Sequence, residues 1–346
     1  MAQVWTDPTR LAELNAALAR LHLRVHQPGD PPLMTREPES TVQAHRWRWR
    51  EVRPLFDRLG ELVPLERGGE RRTLRLTNPG LPYGTTHTLW ASLQLIYPGE
   101  VASAHRHAAT ALRFILEGEG AYTVVDGAPY PMRPGDLVLT PAWSWHDHAH
   151  QGSAPMLWLD VLDIPLVRAL HTTFFEPYPA PQQPLSRPVN ESVRRYGDGT
   201  LRPAGDRPSG PASARLAYPW ARTAAVLHDL AELGADPHEG VAVEYRDPAT
   251  GRGVLPTMAC WAQLLPPGFV GRPLRRTSSA LYHVVQGAGA TTVGGERLEW
   301  EPGDFLVVPP WTWHAHETLG ASEALLFSVH DRPVYEALGL YREERA

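Results

Sequence analysis

An internal repeat constrains this sequence more than any other feature. Segments of the first half return in the second at an offset of 168 to 169 residues. Pro98-Gly99 returns as Pro267-Gly268, and Ala111-Leu112 with Gly118 and Gly120 returns as Ala280-Leu281 with Gly287 and Gly289. Pro134-Gly135-Asp136 returns as Pro302-Gly303-Asp304, while Trp143, Trp145, His146 and His148 return as Trp311, Trp313, His314 and His316. The exits also match, DIPLVRAL at 163–170 against DRPVYEAL at 331–338. The chain must therefore hold two copies of one fold, and its 346 residues suffice for two cores plus connections.

Each copy reads as β structure. The 35 prolines and 29 glycines punctuate short alternating runs, which suits many strands and turns better than long helices. Asp7-Pro8 followed by Leu11, Leu14, Leu18 and Leu21 predicts one amphipathic N-terminal helix. An extended, proline-bearing arm follows over 26–41. Residues 42–66 read as a further arm with a short helix, its WRW run packing on the first barrel or on another subunit. Asp163, repeated as Asp331, stands before a proline turn and reads as the cap of a helix reaching to about Phe175. Residues 176–218 lack apolar periodicity and read as a linker or surface arm, with a short helix from Trp220 to Leu233 after it. The resulting plan is an arm (1–70), a first barrel (71–175), a linker with a short helix (176–240) and a second barrel (241–346).

The two copies differ where chemistry would sit. His105 and His107 are two apart on an alternating segment, so both imidazoles share one strand face while Arg106 points out. His146 follows one hairpin later. Three imidazoles with no thiolate nearby make a metal site by ligand type. In the second copy Leu274 and Arg276 replace His105 and His107, Tyr282 replaces Arg113, Ser328 replaces Asp160, and Ala259 replaces Trp90. That copy should be metal-free, with His314 a hydrogen-bonded core histidine. Three neutral imidazoles leave a divalent metal its full charge, which favours a chelating anion such as an aromatic ring bearing a carboxylate and an ortho hydroxyl. Arg113 would bind the carboxylate in a charge-assisted pair, and His148, two residues past a ligand, is placed for proton transfer. For Arg113 the competing reading is an ion pair at the barrel rim; for His148, present in both copies, it is a structural role.

A net charge of -5 supplies no basic stripe for nucleic acid, and no helix-turn-helix segment is apparent. The chain has no long apolar run, and its N-terminus lacks the shape of a signal peptide. The lone Cys260 excludes an internal disulfide. These features predict a cytoplasmic protein with no membrane or nucleic-acid partner; a homotetramer or other homo-oligomer is expected.

The spacing Gly99, His105-x-His107, Gly118, Gly120, Gly135, Pro141, His146 resembles the two-part motif of the cupins. That resemblance implies an all-β bicupin: two double-sheet, jelly-roll barrels with an N-terminal helical arm and a proline-rich linker. The usual cupin glutamate after His-x-His is missing, and Arg113 stands in its neighbourhood. The runs RRTLRLTNPGL, LWASLQLIYPGEVASAHRHAATALRFILEGEG, GDLVLTPAWSWHDH and WLDVLDIPLV, with VEYRDPATG and HDRPVYEALGLYRE later, resemble the gentisate 1,2-dioxygenases. That family also includes enzymes for salicylate and 1-hydroxy-2-naphthoate. The resemblance implies Fe(II) held by His105, His107 and His146, and O2-dependent cleavage of gentisate to maleylpyruvate. It assigns substrate-binding and proton-handling roles to Arg113, His148, Asp160, Trp90 and Gln94, with Arg72 as a weaker carboxylate contact. Val161 and Ser92 depart from the expected pattern, and either could shift ring preference. A non-catalytic, metabolite-binding cupin is the alternative of another class; the intact histidine set argues against it.

Overall fold

The computed structural model describes residues 7–26, 29–63, 72–201, 203–206 and 212–346. The far end of the 42–66 arm, Arg71 at the head of the first barrel, and parts of the linker lie outside the described residues. The chain forms two compact units, residues 1–39 and 40–346. In the first, the helix Pro8–Arg20 begins as its sequence predicts, with the Asp7 carboxylate accepting from the backbone N–H of Thr9 and Arg10.

The second unit is a bicupin, mostly β. Each barrel pairs a six-stranded sheet with a five-stranded one. In the first barrel, Leu137–Thr140, Ala111–Glu117, Met156–Leu162, Trp90–Ile96 and Arg72–Arg75 lie side by side in the larger sheet. Val101–His107, His146–His150, Ala121–Val125 and Ala128–Pro131 make up most of the smaller sheet, with Phe175–Pro177 at its edge. The second barrel repeats the plan. Tyr282 pairs with Ser328 there, as Arg113 pairs with Asp160 in the first barrel, so the sequence repeat and the strand register agree.

Alternation along the larger sheets builds three cores. One set of side chains, including Ile96, Ile115, Val138 and Trp158, fills the first barrel, and Tyr282, Val284 and Leu326 help fill the second. The opposite set, including Leu112, Phe114, Leu159 and Val161, packs against Cys260, Leu281, Phe327 and Val329 between the barrels. Phe114 and Phe327 stack there at 4.0 Å with an interplanar angle of 13°. Both faces of these sheets are buried, which is why a strand such as WASLQLI reads as almost continuously apolar. Val161 therefore packs toward the second barrel, on the face opposite Asp160.

The WRW run belongs to the second barrel. His45–Trp47 pairs with Phe305–Val308, and Trp49 packs on Gly303 while its N–H donates to Asp304. Reciprocally, Ala217–Tyr218 pairs with Leu137–Thr140 of the first barrel, and Trp220 packs on Gly135 with its N–H donating to Asp136. A Cβ added at Gly135 or Gly303 would fall within 2.5 Å of the indole, and both glycines have positive φ, so the Pro-Gly-Asp turn is shaped to receive a tryptophan. Each barrel thus takes up the strand that precedes the other, together with the tryptophan that opens the helix after that strand.

Asp163 and Asp331 stand at the N-cap positions of Ile164–Ala169 and Arg332–Ala337, as the sequence predicts, but their side chains make no capping hydrogen bond. Pro165 and Pro333 remove the N–H at the second helical position, and the carboxylates turn elsewhere. Asp163 accepts from the Thr110 N–H and from Thr257 Oγ1, the latter on the second repeat. The first of these helices also stops at Ala169, short of Phe175.

Candidate metal centre

His105 and His107 project from Val101–His107, and His146 opens the neighbouring strand directly opposite His105. Their ring centroids lie 4.3 to 5.5 Å apart, and one ligand atom from each falls within 4.8 Å of the others. Each Nδ1 is committed to a carbonyl: His105 to Ser103 (2.7 Å), His107 to Ala109 (2.7 Å), His146 to Ser144 (3.0 Å). A carbonyl only accepts, so each Nδ1 carries the proton and each Nε2 is the nitrogen left able to bind a metal. Burial, with the neighbouring His105, Arg113 and His107, holds the His146 pKa well below its ordinary value and keeps that ring neutral. Its Nε2 is buried without a hydrogen-bond partner among the described residues. Such an orphan acceptor costs on the order of 1–3 kcal/mol unless something coordinates it. The donor set fits a divalent metal.

The facing wall is the interior of the larger sheet. Arg113, Asp160 and Ser92 stand in one row across three strands, all buried. Arg113 Nε lies 3.0 Å from Asp160 Oδ1, and Arg113 Nη1 donates to Thr140 Oγ1 at 2.5 Å. Trp158 Nε1 donates to the other Asp160 oxygen at 3.0 Å. Burial lowers the Arg113 pKa against the pull of Asp160. The ion pair is interior, not at the rim. Gln94, opposite Trp158, is buried with Oε1 lacking a partner among the described residues. Trp90, half-buried, shares that face.

His148 is buried beside Trp158, its Nδ1 2.9 Å from Thr123 Oγ1. His316 makes the same contact with Thr291 at 2.8 Å. Arg72 is brought to Glu100 (2.7 Å) and the Val63 carbonyl, with its guanidinium over Tyr97, at the far end of the strand from His107. Arg106 points outward as its position predicts, paired with Glu176 and lying over Trp145.

Phe175, which stacks on His105 at 5.1 Å, carried no sequence signal. Thr123 did, since it repeats as Thr291 at the offset of His148 and His316. In the second barrel, Arg276 at the place of His107 is ion-paired to Glu239 and Glu343. His314 has its Nδ1 3.3 Å from the Thr312 carbonyl, and burial with Arg276 brings its pKa down to about 4.

A cupin domain model matches residues 92–162 and 261–330. A gentisate 1,2-dioxygenase from Streptomyces is 43% identical over 90% of this chain and 89% of its own. A 5-aminosalicylate 1,2-dioxygenase from Comamonas is 39% identical over 97% and 90%. The chain belongs to the gentisate 1,2-dioxygenase family. A salicylate 1,2-dioxygenase of this family from Pseudaminobacter salicylatoxidans superposes with a TM-score of 0.91 at 34% identity, covering 99% of both chains. Like other gentisate 1,2-dioxygenase family members, this protein is a ring-cleaving dioxygenase and not a non-catalytic cupin. No helix among its described residues is long and apolar enough to cross a membrane.

Proposed function

We propose that the protein cleaves gentisate between its carboxyl-bearing and adjacent hydroxyl-bearing carbons, placing both atoms of O2 in the product, maleylpyruvate. His105, His107 and His146 would hold one Fe(II), which supplies sites for a chelating substrate and for O2 and relays electron density between them. The observation that carries this reading is the pairing of three clustered imidazoles on one wall with a buried guanidinium on the other. A dianionic ring finds a cation on both sides. Arg113, fixed by Asp160 and Thr140, presents its remaining N–H groups to the carboxylate without having to order a flexible side chain. Trp90 and Gln94 bound the ring. His148, oriented by Thr123, takes the phenolic proton on binding and returns it during ring opening. Asp160 positions Arg113.

The same chemistry on salicylate, a substituted salicylate or 1-hydroxy-2-naphthoate is the second reading. It is favoured by Ser92, which sits in the Arg113–Asp160 row beside Trp90, where the ring would lie, and by the 5-aminosalicylate enzyme among the relatives. Anaerobic reconstitution with Fe(II), followed by oxygen uptake against these acids, tests both. Turnover fastest on gentisate supports the first reading, and a preference for rings lacking the 5-hydroxyl replaces it with the second. No uptake with any of them refutes both. The assembly we propose is a homo-oligomer in the cytoplasm.

A further inference from the structure

Four side chains stack outward at one edge of the first barrel. The guanidinium of Arg75 lies 4.6 Å over Trp90, Trp90 lies 4.5 Å from Tyr83, and Arg168 lies 4.2 Å over Tyr83. Both arginines are exposed and both rings are half-buried, so the stack runs from the interior face of Trp90–Ile96 to solvent. Cation–ring contacts of this kind fix ring planes and leave the guanidinium edges open to anions.

The second barrel serves as a control. Arg75 stands opposite Ser92, and its counterpart Glu244 stands opposite Trp261 at the same place in the register. Arg168 in the exit helix corresponds to Glu336, and Trp90 to Ala259. Glu244 and Glu336 are paired with Arg246 and Arg332. Thus both cations become acids, each paired with its own arginine, and Trp90 has no aromatic counterpart in the copy without the histidine set; the indole there, Trp261, stands at the place of Ser92 with Arg332 6.0 Å over it. A stack that only braced the fold would have no reason to reverse sign at two separate elements.

We propose that Arg75 and Arg168 form a cationic entrance to the first barrel, which draws a carboxylate-bearing aromatic acid toward the metal centre past a Trp90 ring they hold in place. The inference rests on the reading of this protein as an aromatic-acid dioxygenase and adds how the substrate arrives. Charged side chains at a mouth raise the association rate of an oppositely charged ligand, and the effect fades with salt.

Anaerobic stopped-flow mixing of the Fe(II)-loaded protein with gentisate, and separately with 1-hydroxy-2-naphthoate, measures association without turnover. The variant Arg75→Glu/Arg168→Glu puts acids at both positions, as in the second barrel, but without the arginines that pair with them there. Its association rate should fall roughly 10- to 100-fold at an ionic strength of about 0.02 M, and the gap should close to about twofold near 0.5 M. Hydroquinone, a ring without the carboxylate, should not distinguish the variant from the parent. Arg297→Glu/Arg342→Glu, an equal charge change on the second barrel, should alter association less than about twofold. An undiminished rate overturns the proposal, as does a loss that persists unchanged at high salt, which would make the stack a brace for Trp90. If the parent binds neither acid, the aromatic-acid reading fails and the entrance with it. If the parent binds them with a flat salt profile, only the entrance fails.

Discussion

Thr88 of the first barrel donates its hydroxyl to Asp331 of the second across 2.5 Å. Asp331 also accepts from the N–H and hydroxyl of Ser279, each at 2.7 Å, and is fully buried. Thr257 and Asp163 make the corresponding contact at 2.7 Å, so two carboxylates join the barrels about a pseudo-twofold relation. Burial pushes the Asp331 pKa up to about 6 against these hydrogen bonds.

The first prediction follows from that value. A folded pKa near 6 against an ordinary 3.8 means that the folded state binds this proton more tightly than the unfolded state. The group's stabilising contribution is complete below the ordinary value and lost as pH rises through about 6; over that window it amounts to about 2–3 kcal/mol. Asp331→Asn should therefore flatten the rise in thermal stability on acidification from pH 7.5 to 5. A parent-minus-variant difference that does not change with pH would show that the carboxylate does not titrate there. Asp331→Ala, which strands three donors, should be destabilising at every pH by about 1–3 kcal/mol or more.

The second prediction concerns metal content. One metal per chain should be retained by the parent and lost by His105→Ala, with little change in unfolding temperature, because the barrels owe their stability to three apolar cores. Metal analysis after purification, with a melting curve alongside, checks both halves. Two metals per chain would mean that Arg276, with Glu239 and Glu343, does not close the second barrel to them.

Much of this architecture was legible in the sequence because a repeat reports on topology. Equal spacing of Pro-Gly, Gly-x-Gly and Trp-x-Trp-His marks the same turns in both copies, and His-x-His on an alternating run fixes one strand face. Partners between the barrels were less legible. The Trp49 and Trp220 contacts join positions more than 80 residues apart, and nothing local to HRWRW says which barrel it meets. The place of Val161 was hard to read for a related reason. Alternation shows that it and Asp160 lie on opposite faces, but when both faces are buried it does not say which one holds the site.

The third prediction uses the repeat to separate catalysis from inheritance at His148. The Thr123 contact at His148 and the Thr291 contact at His316 are alike in length, so loss of either should cost similar stability. Only His148 lies beside the three-histidine set. His148→Gln should retain metal and bind substrate yet slow turnover by about 10²–10⁴-fold, the range for a lost general acid–base group. His316→Gln should leave turnover nearly unchanged. Equal, mild effects at both positions would make His148 structural.

The last prediction separates the two duties of Arg113, which binds Asp160 and is proposed to bind the substrate carboxylate. The pair is interior, so removing one member strands the other. Arg113→Met should lower stability by about 3–5 kcal/mol, because Asp160 keeps its burial and loses its counter-charge. Replacing both members, Arg113→Met with Asp160→Leu, removes the stranded charge and should recover much of that loss, since apolar substitutes for a buried pair are often neutral. Activity should not recover with it. If Arg113 only props up the barrel, the double variant should regain turnover along with its melting temperature. If it clamps the acid, the double variant should fold, keep its metal, and still show kcat/KM for a carboxylate-bearing ring lowered by roughly 10- to 1,000-fold. Arg113→Lys should fall short of the parent in either case, because an ammonium cannot span Asp160, Thr140 and a substrate carboxylate as a planar fork does.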